Sequence, residues 1–345
     1  MKRQIINHVC YRDVFNAPVF IDSLRGWMGI APAENEAFDQ AIQELTLEKV
    51  IVERRGFLAV AGNEENIEKQ AEKSLLTKKL IGKSQRFLRL FSRLPIIKYI
   101  GISGSLAADN PTIGHAGVNK GAVDFDLFVI SSKNALWILF LFERIFTNIH
   151  RLIMGHHFYC FNYMTDETFM EITNKNFYTA TELVNLKTVY DDNVYDQFVS
   201  QNNWYKKYYS LSKITEVVKY KTKDSLLSIL IGPINFICFT FFCIGRGIKR
   251  FELNPILEMF GGFNPKKRNN LRRVSNPNGG YQEAIKRRYK ELYKVNFPQY
   301  YSDEVIESLF PVSSSFEFSK ENVYDAEYAE LFTKYALKVN EENTI

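Results

Sequence analysis

Apolar positions along the first sixty residues recur at helical spacing and then change to short runs. Lys2 to Phe15 reads as a helix that stops before Asn16-Ala17-Pro18. Val19 to Met28 reads as a second, short helix stopped at Gly29, and Glu34 to Leu45 as a third, with Phe38, Ile42 and Leu45 on one face. Val50 to Val52 and Phe57 to Val60 flank Glu53-Arg54-Arg55-Gly56 and predict a hairpin. Three helices and a hairpin outline a unit over 1–62, and Glu64 to Leu94 continues from it as a long charged helix ending before Pro95.

The pattern then becomes that of a sheet with helices. Ile96 to Ile102 predicts a buried strand ending at the turn Gly104-Ser105, and Val123 to Ile130 a second strand. Asn134 to Met154 predicts a helix and Phe158 to Met164 a third strand, which together set a core over 95–178. Ala180 to Leu211 reads as helical and rich in aromatics, the start of a mainly helical C-terminal region over 179–345. The whole is an α+β chain: a mixed sheet with flanking helices between two helical regions.

One run stands apart. Leu226 to Gly245 has no charged residue over twenty positions and is long enough to cross a membrane. Gly232, Pro233 and Asn235 interrupt it, so a buried helix pair broken at Pro233 and a shallow membrane-associated hairpin are both open readings.

Candidate chemistry lies on the two central strands. Asp124 and Asp126 are i and i+2 on the predicted strand, so both project from one face while Phe125 points away. Two adjacent carboxylates repel unless a cation lies between them, and a hard divalent ion, Mg²⁺ or Mn²⁺, suits all-oxygen ligands. Gly104 allows the backbone to approach an anion closely, and Ser105 adds a hydroxyl donor for a phosphate oxygen.

An apolar strand, Gly-Ser, a spacer and Asp-x-Asp in a second strand resemble the DNA polymerase β superfamily of nucleotidyltransferases. Gly104, Ser105, Asp124 and Asp126 carry the signature, and the spacer from Leu106 to Val123 is longer than the family usually has. The resemblance implies that Asp124 and Asp126 bind the metal and act in catalysis, and that Gly104 and Ser105 hold the phosphates of a nucleoside triphosphate substrate. It also implies a third carboxylate on the strand after the next helix. This chain has Asn162 there, with Asp166 just past the strand and Glu171 in the next apolar run as substitutes. Asn is neutral and cannot serve as a base, so two outcomes follow: an active transferase, or a catalytically weak nucleotide-binding regulator. With the hairpin-closed unit in front, the chain resembles bacterial members in which a winged-helix-like unit precedes the transferase core. Lys187 falls where other members hold phosphate, and the acceptor (protein, RNA or small molecule) is not specified.

Charge and cysteine content modify this picture in three places. The predicted third helix carries Glu34, Glu36, Asp39, Glu44 and Glu48, which favours protein contact over DNA reading. Residues 246–292 hold twelve Lys or Arg against four Glu, and 302–345 hold ten acids against three Lys, so a net charge of +5 hides a basic block and an acidic tail. The block suits a polyanion such as a nucleotide, a nucleic acid or anionic lipid, or pairs with the tail inside the fold. Cys10, Cys160, Cys238 and Cys243 lack disulfide or metal spacing, and no signal peptide is visible, so a cytoplasmic setting is expected, with attachment to the inner membrane face the variant reading. The neighbouring His156 and His157 are assigned no role.

Overall fold

The hairpin forms around a two-residue turn in which Arg55 and Gly56 are both left-handed, with φ of 54° and 76°. That geometry matches the right-handed twist of its strands, β2 (Ile51–Arg54) and β3 (Phe57–Val60). The computed structural model describes residues 1–111, 123–154, 159–210, 228–250, 269–270, 273–275 and 279–311. Helices α1 (Lys2–Asp13), α2 (Ile21–Met28) and α3 (Asn35–Leu47) pack on the hairpin. The expected start of the second helix at Val19 is corrected. Val19 and Phe20 form a short strand, β1, paired with Leu58 and Phe57, which gives a sheet in the order β1-β3-β2. The helix begins only once that pairing ends. Gly29, left-handed at φ 64°, terminates α2.

The long α4 (Glu65–Phe91) leads to a six-stranded mixed sheet of order β7-β4-β5-β6-β9-β8. Its strands are β4 (Ile97–Ile102), β5 (Phe125–Ser131), β6 (Tyr159–Asp166), β7 (Lys187–Asp191), β8 (Asn269–Asn270) and β9 (Arg273–Ser275). Only β5 and β6 are parallel, and α6 (Leu136–Met154) is the crossover such a pair needs. Alternation along β5 divides the interior. Phe125, Leu127 and Val129 face a core with α4, α6 and Trp137, whereas Phe128 and Ile130 face a core shared with the N-terminal helices.

The stretch from Ala180 to Leu211 is not uniformly helical. It holds α7 (Phe177–Asn185), the strand β7 and α8 (Tyr195–Gln201), followed by a 3-10 turn over Asn203–Lys207. Thr188, Val189 and Tyr190 favour an extended backbone, and β7 completes the edge beside β4. The apolar run is also corrected: α9 (Ser228–Arg250) is one helix that continues through Pro233. Among the described residues no helix is long and apolar enough to cross a membrane. Helices α10 (Gly279–Asn296) and α11 (Asp303–Leu309) close the fold against α1. Residues 112–122 of the spacer, His156 and His157, much of the basic block after Arg250 and most of the acidic tail lie outside the described residues.

Candidate functional site

β4 ends where its antiparallel neighbour begins, and Ser103 N donates to the Asp126 carbonyl at 3.0 Å. Gly104 is left-handed, φ 64°, and opens a single helical turn, α5 (Gly104–Ala107). A Cβ on Gly104 would overlap Asp126 Oδ2, so the turn closes on this carboxylate only because the residue is glycine. On its other side the Gly104 amide donates to Glu182 Oε2 at 3.1 Å. Glu182 comes from α7, which covers the sheet face onto which Asp126 projects.

Asp126 and Glu182 thus flank one glycine. Both keep some solvent-accessible surface, yet crowding by protein atoms dominates their chemistry. Burial, reinforced by the charges of Asp124 and Glu182, pushes Asp126 up to about 7, against a hydrogen bond with Cys160. Burial also pushes Glu182 up to about 7, opposed by the Gly104 amide. Asp124 is raised by burial as well. It lies just before β5 rather than within it, which corrects the expected placement of both aspartates on one strand, and its charge still acts on Asp126.

The other side of the turn is held by cations. Lys187 Nζ donates to the Leu106 carbonyl at 3.2 Å and Arg12 Nη2 to the Ala108 carbonyl at 3.0 Å. Lys73 Nζ reaches Asn110 Oδ1 at 2.8 Å, and burial with the nearby Arg12 charge lowers it to about 8. Gln70 donates to the Asp109 carbonyl at 2.9 Å, and Ser74 bonds the Asp109 carboxylate. The N-terminal unit and α4 therefore build one wall of the turn.

Gly104, Ser105, Asp124 and Asp126 come together at this end of the sheet; the three candidates for a further ligand do not all join them. Asn162 is half-buried on β6 at an irregularity between the Leu127–Phe161 and Phe128–Tyr163 pairs, and Cys160 is the residue opposite Asp126. Asp166 is buried opposite Ser131, five residues and roughly 16 Å along the strand from Asp126. It accepts from the amides of Asn134 and Thr168 at 3.3 and 2.8 Å, which fixes a loop. Glu171 forms an exposed 2.6 Å ion pair with Lys175. The acid near Asp126 that sequence reasoning missed is Glu182. Its signal was present: it is the only charged residue between Lys175 and Lys187, in a helix otherwise apolar or neutral.

Among the described residues no group of three or more His, Cys, Asp or Glu is arranged to hold a metal ion. The Asp124/Asp126 pair nonetheless has the donors a divalent cation uses, with substrate and water oxygens left to fill the shell. Burial is the main cause of its raised proton affinity, with the charge of Asp124 adding to it at Asp126. Compared with known proteins, the chain matches no family model, no curated protein and no solved structure.

Proposed function

We propose that the chain is a Mg²⁺- or Mn²⁺-dependent nucleotidyltransferase of the DNA polymerase β type, moving a nucleoside monophosphate from a nucleoside triphosphate to an acceptor. The observation that carries this reading is the closure of Gly104 onto Asp126, beside Asp124, with burial raising both carboxyls and the charge of Asp124 adding to the rise at Asp126. A divalent cation held by Asp124 and Asp126 would neutralise that repulsion and the charge of the triphosphate. Ser105, next in the chain to Gly104, supplies a hydroxyl, and Lys187, Lys73 and Arg12 supply positive charge around the turn. In the transfer, the acceptor oxygen bonds to the α-phosphorus, the α–β phosphoanhydride bond breaks and pyrophosphate leaves. The acceptor proton passes to a base, for which Glu182 is poised near neutral pH. The N-terminal unit, in the order α1-β1-α2-α3-β2-β3, fits a winged-helix-like module. The acids Glu36, Asp39 and Glu44 on its third helix favour a protein contact over DNA.

A second reading has its own support. Asn162 is neutral where the resemblance calls for an acid, and Glu182 already accepts from the Gly104 amide that a phosphate would use. These features suit a nucleotide-binding regulator with little turnover. Labelled nucleoside triphosphates with Mg²⁺ separate the two readings: release of pyrophosphate supports the enzyme, and binding without release supports the regulator. Asp124→Asn and Asp126→Asn should each abolish the Mg²⁺-dependent signal while the protein stays folded. Wild-type metal dependence in either variant would refute the site.

A further inference from the structure

The side of the molecule built by α4, α6 and α9 is covered by neither of its two cores. Sixteen large apolar side chains are exposed among the described residues, and ten of them lie on α6 and α9. On α6 these are Leu141, Ile145, Ile149, Leu152 and Ile153; on α9, Ile234, Phe236, Ile237, Phe241 and Ile244. The spacing of 141, 145, 149 and 152, and of 234, 237, 241 and 244, makes a continuous stripe along each helix. Phe241 is 71% and Leu152 80% exposed, so these are whole side chains in solvent rather than the edges of a core.

The two stripes belong to one surface. α6 and α9 pack side by side through Trp137, whose ring centroid lies 4.9 Å from that of Phe239 and 4.7 Å from that of Phe242. Asn235 Oδ1 accepts from Trp137 N at 2.6 Å and fixes the start of α6 against α9. On the opposite flank of α6, Phe87 of α4 stacks on Phe146 at 4.7 Å and Phe91 stacks on Phe142 at 5.8 Å.

α4 adds the second half of the pattern. From Ser74 to Ile97 the chain has six cations and no acid: Lys78, Lys79, Lys83, Arg86, Arg89 and Arg93. All six are exposed, and among the described residues no carboxylate is within ion-pair distance of any of them. From Lys78 to Arg89 they extend over about 16 Å of helix axis, and Arg93 follows just past the end of α4. α9 has no acid and ends with Arg246, Lys249 and Arg250, and the one acid of α6, Glu143, is buried beside Arg144 at 3.2 Å. No exposed carboxylate interrupts the three helices from Ser74 onward.

We infer that this face docks on an anionic lipid bilayer, with α6 and α9 lying in the interface and α4 against the headgroups. An aliphatic and Phe-rich stripe bordered by charge of one sign is what a flat, negatively charged, oily surface recognises. A nucleic acid would leave the stripe unused. A protein partner would need an equally long acidic ridge beside an apolar groove. No described helix is long and apolar enough to cross a membrane, and the docking we infer is peripheral. This inference stands apart from the nucleotidyltransferase reading and survives or fails without it.

Co-sedimentation of the full chain with vesicles tests it. The protein should pellet with vesicles of phosphatidylcholine and phosphatidylglycerol in equal parts, and much less with phosphatidylcholine alone. Added salt should release it. The double variant Ile237→Glu/Phe241→Glu and the triple variant Lys78→Glu/Lys79→Glu/Lys83→Glu should each bind about tenfold or more weakly. All five positions are exposed, so unfolding midpoints equal to wild type should confirm that the fold is kept. Wild-type protein left in the supernatant, equal binding to both vesicle types, or unimpaired variants would each overturn the inference. So would reversible self-association without vesicle binding that Phe241→Glu abolishes; a second copy of the chain would then be the occupant.

Discussion

Gly104 is the residue on which the candidate site turns, since its backbone is left-handed and its missing Cβ makes room for Asp126. Gly104→Ala should cost about 1–2 kcal/mol in backbone strain alone, with the clash against Asp126 added. Its effect on nucleotide binding should exceed that of Ser105→Ala, which removes one charge-assisted hydrogen bond worth on the order of 1.5–3 kcal/mol. Denaturant unfolding and nucleotide titration of both variants check the order, and a more damaging Ser105→Ala would reverse the roles. Asp126 makes a pH prediction. Its folded carboxyl binds a proton up to about 7, whereas the unfolded chain releases it near 3.8. The folded state therefore holds more protons across that window, and stability falls as pH rises through it. Asp126→Asn should stabilise the metal-free protein clearly at about pH 8 and less at about pH 5, and Mg²⁺ should stabilise the wild type more than the variant at the higher pH. Denaturant midpoints at the two pH values decide it. Gly104 and Asp126 were legible in the chain because a Gly-Ser turn and an Asp-x-Asp stand out from apolar runs. Glu182 stood out only as the lone charge of its helix; that it meets the turn is a tertiary contact of α7 with Gly104 that no local spacing encodes.

Elements were read correctly where periodicity was long and missed where it was short. α1, α3, α4 and α6 have three or more turns of consistent pattern and appear within a few residues of their expected bounds. β1 and β7 are two and five residues long, and each exists because a neighbouring strand offers a partner: Phe57 and Leu58 for one, β4 for the other. α9 was legible as apolar but not in its placement. Half of its face is buried by Asn235, Phe239 and Cys243 against α6, while the other half is exposed. Asn235 looked like an interruption in the sequence and is in fact a clasp. Its buried Oδ1 satisfies Trp137 N in the first turn of α6, where the helix has no donor–acceptor partner of its own. Asn235→Leu should leave that amide unpaired and cost about 1–3 kcal/mol. Phe241→Leu, on the exposed face of the same helix, should change stability by less than about 0.5 kcal/mol. Chemical denaturation of the two variants checks the contrast; equal losses would mean that α9 packs through a different face.

At the scale of the molecule, the larger hydrophobic cluster holds residues from both sides of the expected boundaries at 62, 94 and 178. One cluster runs from Ile5, Val9 and Phe38 through Tyr99, Phe128 and Ile130 of the sheet to Phe177, Tyr289, Tyr293 and Phe310. Tyr289 is fully buried, accepts the Cys10 thiol at its carbonyl (3.7 Å) and points its ring at Phe310 and Tyr11. Its neighbour Tyr293 donates to Asn7 Oδ1 at 3.2 Å. The second cluster, with Trp137, Phe239 and Leu88, lies on the opposite face of the same strands. Such an arrangement should unfold as a single cooperative unit. Trp27 and Trp137 report on the two sides: Trp27 packs against His8 and Tyr209 beside α1, and Trp137 sits between α6 and α9. Two variants that each keep just one of these tryptophans, with the other and Trp204 replaced by Phe, should lose fluorescence at the same denaturant concentration. Adding Tyr289→Ala should then move both transitions down together, by about 3–5 kcal/mol, as for deletion of any large buried aromatic ring. The alternative is an autonomous N-terminal unit, and its signature would be a Tyr289→Ala shift at Trp27 with the Trp137 transition left in place. In that case the wall that Arg12 builds beside the Gly104 turn would be a docking contact between separate domains, and removing residues 1–62 should leave the sheet folded; if the cores are joined, the same truncation should yield protein without a cooperative transition at Trp137.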